Sequence, residues 1–199
     1  MNNRKATLLT QSKLLLSTYL LAISGICWGG NLPSLIDDFS SSTANSLGFP
    51  RYFMNDSVAG GGTEAGQEIS EGAISTKGNI VPPRGQPGWA SIILPVGMEN
   101  TAQDASAFEG LRLLVKINTG NISISANSIE ITNFDYHTAP ISVTADGKFH
   151  EIKIPFTSMK RNWSEQTPLN TKTLNSISIT AFGFEKTSFD FVLDEVSFY

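Results

Sequence analysis

The chain has one cysteine, Cys27, and only two histidines, His137 and His150, in 199 residues. A single cysteine forms no internal disulfide, and residues after it offer neither a zinc cluster nor a thiol nucleophile. No G-x-S-x-G sequence accompanies the histidines, so the serine-hydrolase motif is absent. A carboxylate pair of a glycosidase stays open, because the separation it needs is spatial. We therefore expect a non-catalytic domain that is stabilised by its hydrophobic core.

Basic residues are few as well, with 14 Lys and Arg against 18 Asp and Glu. Residues 1–30 contain three of the basic residues and none of the acidic ones, so residues 31–199 have a net charge of about −7. Proteins that bind nucleic acid need a basic surface to neutralise phosphates. The charge balance therefore predicts no nucleic-acid partner.

Long apolar runs are absent except for residues 14–27, LLLSTYLLAISGIC, which follow Arg4, Lys5 and Lys13. This run is short for a membrane span, and a basic start followed by a short apolar run is typical of a secretory signal helix. Ala22 and Ser24 have the spacing of a cleavage site. We expect residues 1–30 to be a signal peptide or, if uncleaved, a membrane anchor. The protein would then be secreted or periplasmic, or anchored to a membrane only through this leader.

Alternating residues dominate the rest of the chain. In residues 189–199, FDFVLDEVSFY, the apolar residues change parity after Leu193, which predicts a β-bulge at Asp194–Glu195. So apolar a strand needs partners on both edges, and we expect residues 35–39, LIDDF, to pair with it.

Further strands are predicted throughout residues 31–199, about ten in all, with no helix. Residues 108–120 alternate most clearly, and Thr119-Gly120 suggests a hairpin to the strand that begins at Ile122. Residues 129–134 would continue this meander. The pattern predicts an all-β chain, a β-sandwich or jelly roll over residues 31–199.

Two short motifs resemble a known family. The run N-D-S-V-A-G-G-G-T is similar to the Asp-x-Val-Met-Gly-Gly-x-Ser signature of the complex I intermediate-associated protein 30 kDa family, and Gly88-Trp89-Ala90-Ser91 fits its later Gly-Phe-Ala-Ser strand. The F-E-G-L-R-L-L-V-K, I-P-F and F-V-L-D-E-V segments follow in the family's order. The signature matches at these positions: Asp56, Val58, Gly60, Gly61 and Thr63.

The resemblance implies a galactose-binding-domain-like jelly roll, a fold shared with family 11 carbohydrate-binding modules. It leaves two functions open, because the family includes an assembly factor of respiratory complex I and many bacterial proteins. One is an exported module that binds a carbohydrate or glycan through aromatic-lined loops. The other is a protein-interaction or assembly factor. Fold alone does not decide between them.

Candidate ligand-binding residues follow from sugar chemistry, in which aromatic rings stack on pyranose faces and planar polar groups bind hydroxyls. Arg112, Lys116, Ser123 and Ser125 are expected to share one face of adjacent strands. Trp89 fits a core position better than a ligand contact. The predicted ligand-binding residues are Tyr52, Trp89, Arg112, Tyr136, His137 and Trp163.

Asp37, Asp38 and Asp194 are the candidate metal ligands. Their carboxylates would converge if the first and last strands pair, and oxygen ligands suit a structural calcium ion. The alternative, which the sequence favours, is that these acids are solvated or bond turn amides. The glycines Gly60–Gly62 lack the context of a phosphate-binding loop and favour a tight turn.

Overall fold

The computed structural model describes residues 32–199, and the expected leader lies outside them. These residues form a compact unit of two antiparallel β-sheets, so the prediction of an all-β sandwich is confirmed. Sheet I has the order β3-β4-β11-β6-β9, with β1 also paired to β11, and sheet II has the order β2-β5-β10-β7-β8. The strands of sheet I are β1 (Leu35–Asp37), β3 (Glu64–Ser70), β4 (Ala73–Ile80), β6 (Gly110–Thr119), β9 (His150–Pro155) and β11 (Thr187–Phe198); those of sheet II are β2 (Tyr52–Asn55), β5 (Gly88–Pro95), β7 (Asn121–Ser128), β8 (His137–Ile141) and β10 (Leu174–Gly183).

The core lies between the two sheets and follows from the two-residue alternation of their strands. Leu111, Leu113 and Val115 of β6 are fully buried from one side, and Ile177 and Ile179 of β10 from the other. Within residues 32–199 the helices are three short 3-10 turns, Asp56–Ala59, Phe156–Ser158 and Thr171–Thr173. None of the described helices is both long and apolar enough to cross a membrane.

The last strand holds sheet I together as predicted. β11 pairs with β6 along one edge and with β4 and then β1 along the other. Its pairing with β6 shifts register between Leu193 and Glu195, so the predicted bulge at Asp194–Glu195 is confirmed. The backbone N–H of Phe198 also donates to the carbonyl of Ser34 at 2.7 Å, which joins the two ends of the described chain.

The predicted hairpin at Thr119-Gly120 is wrong. β6 belongs to sheet I and β7 to sheet II, so the chain crosses from one sheet to the other at Gly120. β6 already has β11 and β9 on its two edges, which leaves no edge for β7. Gly120 has φ +97°, and a Cβ there would lie 2.7 Å from the Cβ of Phe189, so only glycine permits this crossing.

The predicted strand over residues 129–134 is also wrong, because these residues form turns and the strand β8 begins at His137. Pro140 obscured this strand in the sequence. A proline is tolerated in β8 because that strand is at the edge of sheet II, where one side of the backbone needs no ladder partner.

Candidate functional site

The outward-facing side of sheet II is here called the hydroxyl face, and none of the described residues on it is Asp, Glu, Lys, Arg or His. Strands β5, β7 and β10 alternate buried apolar residues with small polar ones, and the cross-strand pairing places the polar residues side by side. The face comprises nine hydroxyl or amide side chains, namely Ser91, Asn121, Ser123, Ser125, Asn127, Thr138, Ser176, Ser178 and Thr180, and seven apolar or aromatic ones, namely Tyr52, Met54, Trp89, Ile93, Pro95, Pro140 and Phe182.

The polar side chains form transverse rows across the strands. One row contains Ser178, Ser125 and Thr138, and the next contains Ser91, Thr180 and Ser123. The four serines of these rows are only 7–8% exposed although they point away from the core. Their larger neighbours therefore enclose them, and the middle of the face is recessed.

Hydrogen bonds order these side chains. Ser125 Oγ and Thr138 Oγ1 are 2.7 Å apart, and Ser91 Oγ and Thr180 Oγ1 are 2.9 Å apart. Asn127 Nδ2 donates to Ser178 Oγ at 2.6 Å, whereas its Oδ1 accepts no hydrogen bond from any described residue. A hydroxyl both donates and accepts, so a row of hydroxyls can bind the hydroxyls of a neutral ligand in either direction.

Two of the predicted aromatic residues lie on this face. Tyr52 is half exposed on the edge strand β2, in the row of Ser178 and Ser125. Trp89 is half-buried and pairs with Phe182 across β10. The favoured core position of Trp89 is wrong, because Ala90 and its alternate neighbours fill the core side of β5.

Asp56 holds Trp89 in place and explains both motifs of the resemblance. Its fully buried carboxylate accepts hydrogen bonds from Thr63 N at 3.0 Å, Thr63 Oγ1 at 2.6 Å and Trp89 N at 3.2 Å. A Cβ at Gly61 would lie 2.1 Å from the Asp56 Cγ, and one at Gly88 would lie 2.8 Å from its Oδ2. The signature glycines therefore form a tight turn around a buried acid.

A rigid loop presents Trp163 beside the β8 edge of the face. The buried Asp135 accepts the backbone N–H groups of Asn162, Trp163 and Ser164 at 2.8, 3.1 and 2.6 Å. Lys160, just before this loop, pairs with Thr138 of β8 through two backbone hydrogen bonds of 2.9 Å. These hydrogen bonds fix the backbone of the loop, and Trp163 itself is 68% exposed.

Residues 134–136 lie against the same loop. Phe134 is 77% exposed, and its ring meets that of Tyr136 edge to face with centroids 6.4 Å apart. Burial raises the pKa of the half-buried Tyr136. Burial also raises the pKa of Asp135, but its hydrogen bonds from Asn162, Ser164 and Trp163 outweigh this and hold that pKa below its usual range. Asp135 therefore stays a charged acceptor for the loop amides.

Two predicted ligand residues lie elsewhere. His137 is buried on the core side of β8, where its Nε2 donates to the carbonyl of Thr167 at 2.6 Å. Arg112 is on the outer side of sheet I, so it does not share a face with Ser123 and Ser125, and neither does Lys116. That prediction was wrong because it rested on the hairpin at Gly120.

Arg112 belongs to the outer side of sheet I, here called the charged face. Its guanidinium donates to Glu151 at 2.7 Å and also to Glu195. The hydrogen bond from Arg112 lowers the pKa of Glu151. The charged side chains of this face are Glu64, Glu68, Lys77, Arg112, Lys116, Glu151, Lys153, Asp190 and Glu195.

The three predicted metal ligands share no hydrogen-bond partner among the described residues. Asp194 lies in the bulge of β11. Both carboxylate oxygens of the buried Asp37 bind Arg51, at 2.5 and 2.7 Å, while Asp38 binds Ser40 and Ser46. Between residues 32 and 199, no group of three or more His, Cys, Asp and Glu side chains is placed to hold a metal ion. Structural calcium stays a prediction, which thermal melting with calcium and with a chelator would test.

The family match agrees with this geometry. The model of the family described as Complex I intermediate-associated protein 30 matches residues 39–193, which include the Asp56 turn and both sheets apart from β1 and the end of β11. The chain belongs to this family. Among curated protein sequences, none matches this member of the complex I intermediate-associated protein 30 family.

Several solved structures are similar to this family member in fold. A family 11 carbohydrate-binding module from Clostridium thermocellum, in complex with a β-1,3-1,4-mixed-linked tetrasaccharide, is 18% identical, with a TM-score of 0.58 over 85% of this chain and 96% of that one. The family 11 module of the cellulosomal cellulase Lic26A-Cel5E is 17% identical, with a TM-score of 0.56 over 85% and 95%. The agarase AgWH50C matches at 12% identity and a TM-score of 0.53, over 82% of this chain and 26% of its own. At these identities the likeness shows the jelly-roll fold.

Sequence reasoning missed most of the hydroxyl face. It named Ser123 and Ser125 but not Asn127, Ser178 or Thr180. The signal was present, because N-I-S-I-S-A-N in β7 and S-I-S-I-T in β10 both place a small polar residue at every second position. The same pattern in two strands predicts that one side of their sheet is polar.

Proposed function

We propose that this protein is an exported, non-catalytic module that binds a carbohydrate or glycan on the hydroxyl face. The observation that carries the proposal is a recessed surface of uncharged hydroxyl and amide groups with aromatic rings at its edges. Tyr52 and Trp89 lie on the face, and Tyr136 and Trp163 lie at its β8 side.

Sugar chemistry fits such a surface. Hydroxyl and amide side chains match the donor and acceptor groups of a pyranose, and aromatic rings match its apolar face. The Asp135 hydrogen bonds fix the loop that presents Trp163, so little conformational entropy is lost when a ligand contacts it. A preformed rigid loop of this kind supports binding by stacking.

The composition of the face also supports binding without catalysis. Glycoside hydrolysis needs two carboxyl groups on either side of the scissile bond, and the described residues of the hydroxyl face include no Asp or Glu. The fold likeness to modules described as carbohydrate-binding points the same way. Export rests on the sequence of residues 1–30, and a cleaved amino terminus in the periplasm or medium would test it.

Affinity electrophoresis of the full chain in gels containing neutral polysaccharides tests the proposal, with mixed-linkage β-1,3-1,4-glucan as the first probe. We expect retardation of the wild type, and at least tenfold weaker binding in Tyr52→Ala and in Trp163→Ala. Phe184→Ala is the matched control, because Phe184 is 76% exposed in the turn between β10 and β11 and should bind as the wild type does. Folded protein that no neutral polysaccharide retards would overturn the proposal.

A second candidate is a protein-interaction or assembly role, which the family membership supports. A surface hollow of about 760 Å³ between the Phe156–Ser158 turn and residues 166–171 gives it a physical basis. Phe108, Phe156 and Leu169 make part of its lining apolar. Stable co-purification with a membrane complex, lost in Leu169→Lys but not in Trp163→Ala, would favour this role over glycan binding.

A further inference from the structure

The edge strand β2 combines three features that together leave it open to another strand. Tyr52, Phe53 and Met54 are consecutive and are 50%, 41% and 44% exposed. β2 pairs with β5 along one edge, and no described residue pairs with its other edge. An edge strand directs every second N–H and C=O group outward, so β2 presents unpaired backbone beside three large side chains.

The other sheet edges are protected by the devices that proteins use against edge-to-edge pairing. β3 has Glu64 and Glu68, and β9 has Glu151, Lys153 and Pro155. The remaining two edges are partly covered.

β8 contains Pro140 and is paired with Lys160 through the backbone of Thr138. At β1, the N–H of Ser46 donates to the carbonyl of Ile36 at 3.1 Å. β2, with the sequence Y-F-M-N, has no charge and no proline, and the backbone bridge nearest to it among the described residues joins Ala44 to Pro50, two residues before the strand begins. An uncharged, apolar edge that differs in this way from the other described edges fits a binding edge.

We propose that β2 pairs antiparallel with β2 of a second copy of this chain, so that sheet II continues across a two-fold axis. A second copy is favoured over a foreign strand because β2 is complementary to itself. No charged side chain lies in the strand, so two copies meet without repulsion between like charges. The side-chain pattern then selects one register.

Side chains that lie directly opposite each other on two paired strands point to the same side of the sheet. The hydroxyl faces of two copies therefore lie on the same side only when opposed residues both have even numbers or both have odd numbers. Registers centred on Tyr52, Phe53 or Met54 all meet this condition, but only the one centred on Phe53 places each of these exposed side chains opposite another of them. It places Phe53 opposite the partner's Phe53 on the core side, and Tyr52 opposite the partner's Met54 on the hydroxyl face, twice by symmetry. Aromatic–aromatic and sulfur–aromatic pairs stabilise cross-strand neighbours. Each of the three exposed side chains thereby gains a neighbour across the axis.

The pairing would join two hydroxyl faces into one ten-stranded surface with Tyr52 and Met54 at its centre. A single glycan chain could then contact both copies, which raises avidity without any new contact inside one copy. The dimer itself does not depend on glycan binding, and it is tested without any ligand.

Disulfide trapping tests the register in the full chain, with Cys27→Ser as background. Phe53→Cys places a thiol opposite itself across the axis, within disulfide reach, so we expect it to cross-link at least tenfold faster than Phe184→Cys. Tyr52→Cys alone should cross-link no faster than that control, because its partner is Met54, whereas Tyr52→Cys with Met54→Cys should cross-link rapidly. Equal rates for Phe53→Cys and Phe184→Cys would overturn the proposal.

Sedimentation equilibrium provides a second readout without added cysteines. Phe53→Lys should weaken self-association at least tenfold, because it opposes two like charges on the axis, while Phe184→Lys should leave it unchanged. Melting temperatures of both variants report whether they are folded. Wild-type protein that is monomeric throughout the concentration range, or Phe53→Lys that associates as the wild type does, would refute pairing through β2.

Discussion

The two outer faces of the sandwich share one architecture and differ in chemistry. Each is the outward half of five or more alternating antiparallel strands packed on a common core. The charged face places Arg112 between Glu151 and Glu195, so its polar groups bind one another and water. The hydroxyl face has no charged side chain among residues 32–199, and its serines are recessed. Charged side chains are enough to keep a surface hydrated. Uncharged donors and acceptors in a recess instead suit the binding of a neutral ligand.

The largest expected contrast is between the stability effects of removing the buried Asp56, which binds the backbone of Trp89, and of removing Asp190 on the charged face. Asp56→Ala leaves the amide N–H of Trp89 and both donors of Thr63 unpaired in the interior, so we expect a loss of about 3 kcal/mol or more in the free energy of unfolding. Asp190→Ala on the charged face should change it by less than about 0.5 kcal/mol. Urea unfolding followed by circular dichroism measures both, and similar losses would remove the contrast.

Adding a charge to each face gives the next largest effect. Thr180→Lys puts an ammonium on the central strand of the hydroxyl face and should weaken glycan binding at least tenfold, about 1.4 kcal/mol. Val192→Lys puts the same group on β11, the central strand of sheet I, and should leave binding unchanged. Calorimetric titration with mixed-linkage β-glucan makes the comparison. Equal weakening by both variants would show that the faces do not differ in binding.

Acid should separate two of the carboxylates whose pKa is lowered, Asp135 and Glu151. Unfolded carboxyl groups titrate near pH 4, so a folded-state pKa below that value contributes stability above about pH 4 that is lost as pH falls through the folded pKa. Asp135 is buried and Glu151 is exposed. We expect acid to free the Trp163 loop in low and high salt alike, while salt suppresses the effect of Glu151. Fluorescence of the wild type against Trp163→Phe reports the loop. Asp135→Asn, which cannot titrate, should lack this acid transition, and its persistence there would rule out Asp135 as the cause.

The smallest effect is expected for Arg112→Ala. Its ion pairs are partly exposed, so stability should change by less than about 1 kcal/mol. Glycan binding should not change, because Arg112 lies on the opposite side of the sandwich from the hydroxyl face. Loss of binding in this variant would place the site on the charged face instead.

Local patterns predicted the strands well and the sheets poorly. The parity change after Leu193 is a local property, so the bulge of β11 could be predicted from one segment. Which sheet receives the chain after Gly120 depends on whether β6 has a free edge, and that depends on β9 and β11. No window of sequence contains this information. The error then moved Arg112 and Lys116 to the wrong face.

Site residues could be predicted where their residue type determines their role, and could not be predicted where their role depends on tertiary contacts. Trp163 was predicted as a ligand-binding residue, and the structure places it exposed on a loop beside β8. His137 follows Tyr136 directly, yet strand alternation turns its ring into the core towards Thr167. The part played by Asp56 needs two segments that are 33 residues apart to meet, which only the fold shows.

The hydrogen bond between Ser34 and Phe198 has a practical consequence for rearranging the gene. Since these two residues are held together by β1 and β11, a linker of a few residues could connect them. New termini could then be opened at the exposed Glu71-Gly72 turn between β3 and β4. Such a circular permutant would keep every strand pairing, because the cut falls in the turn between two paired strands.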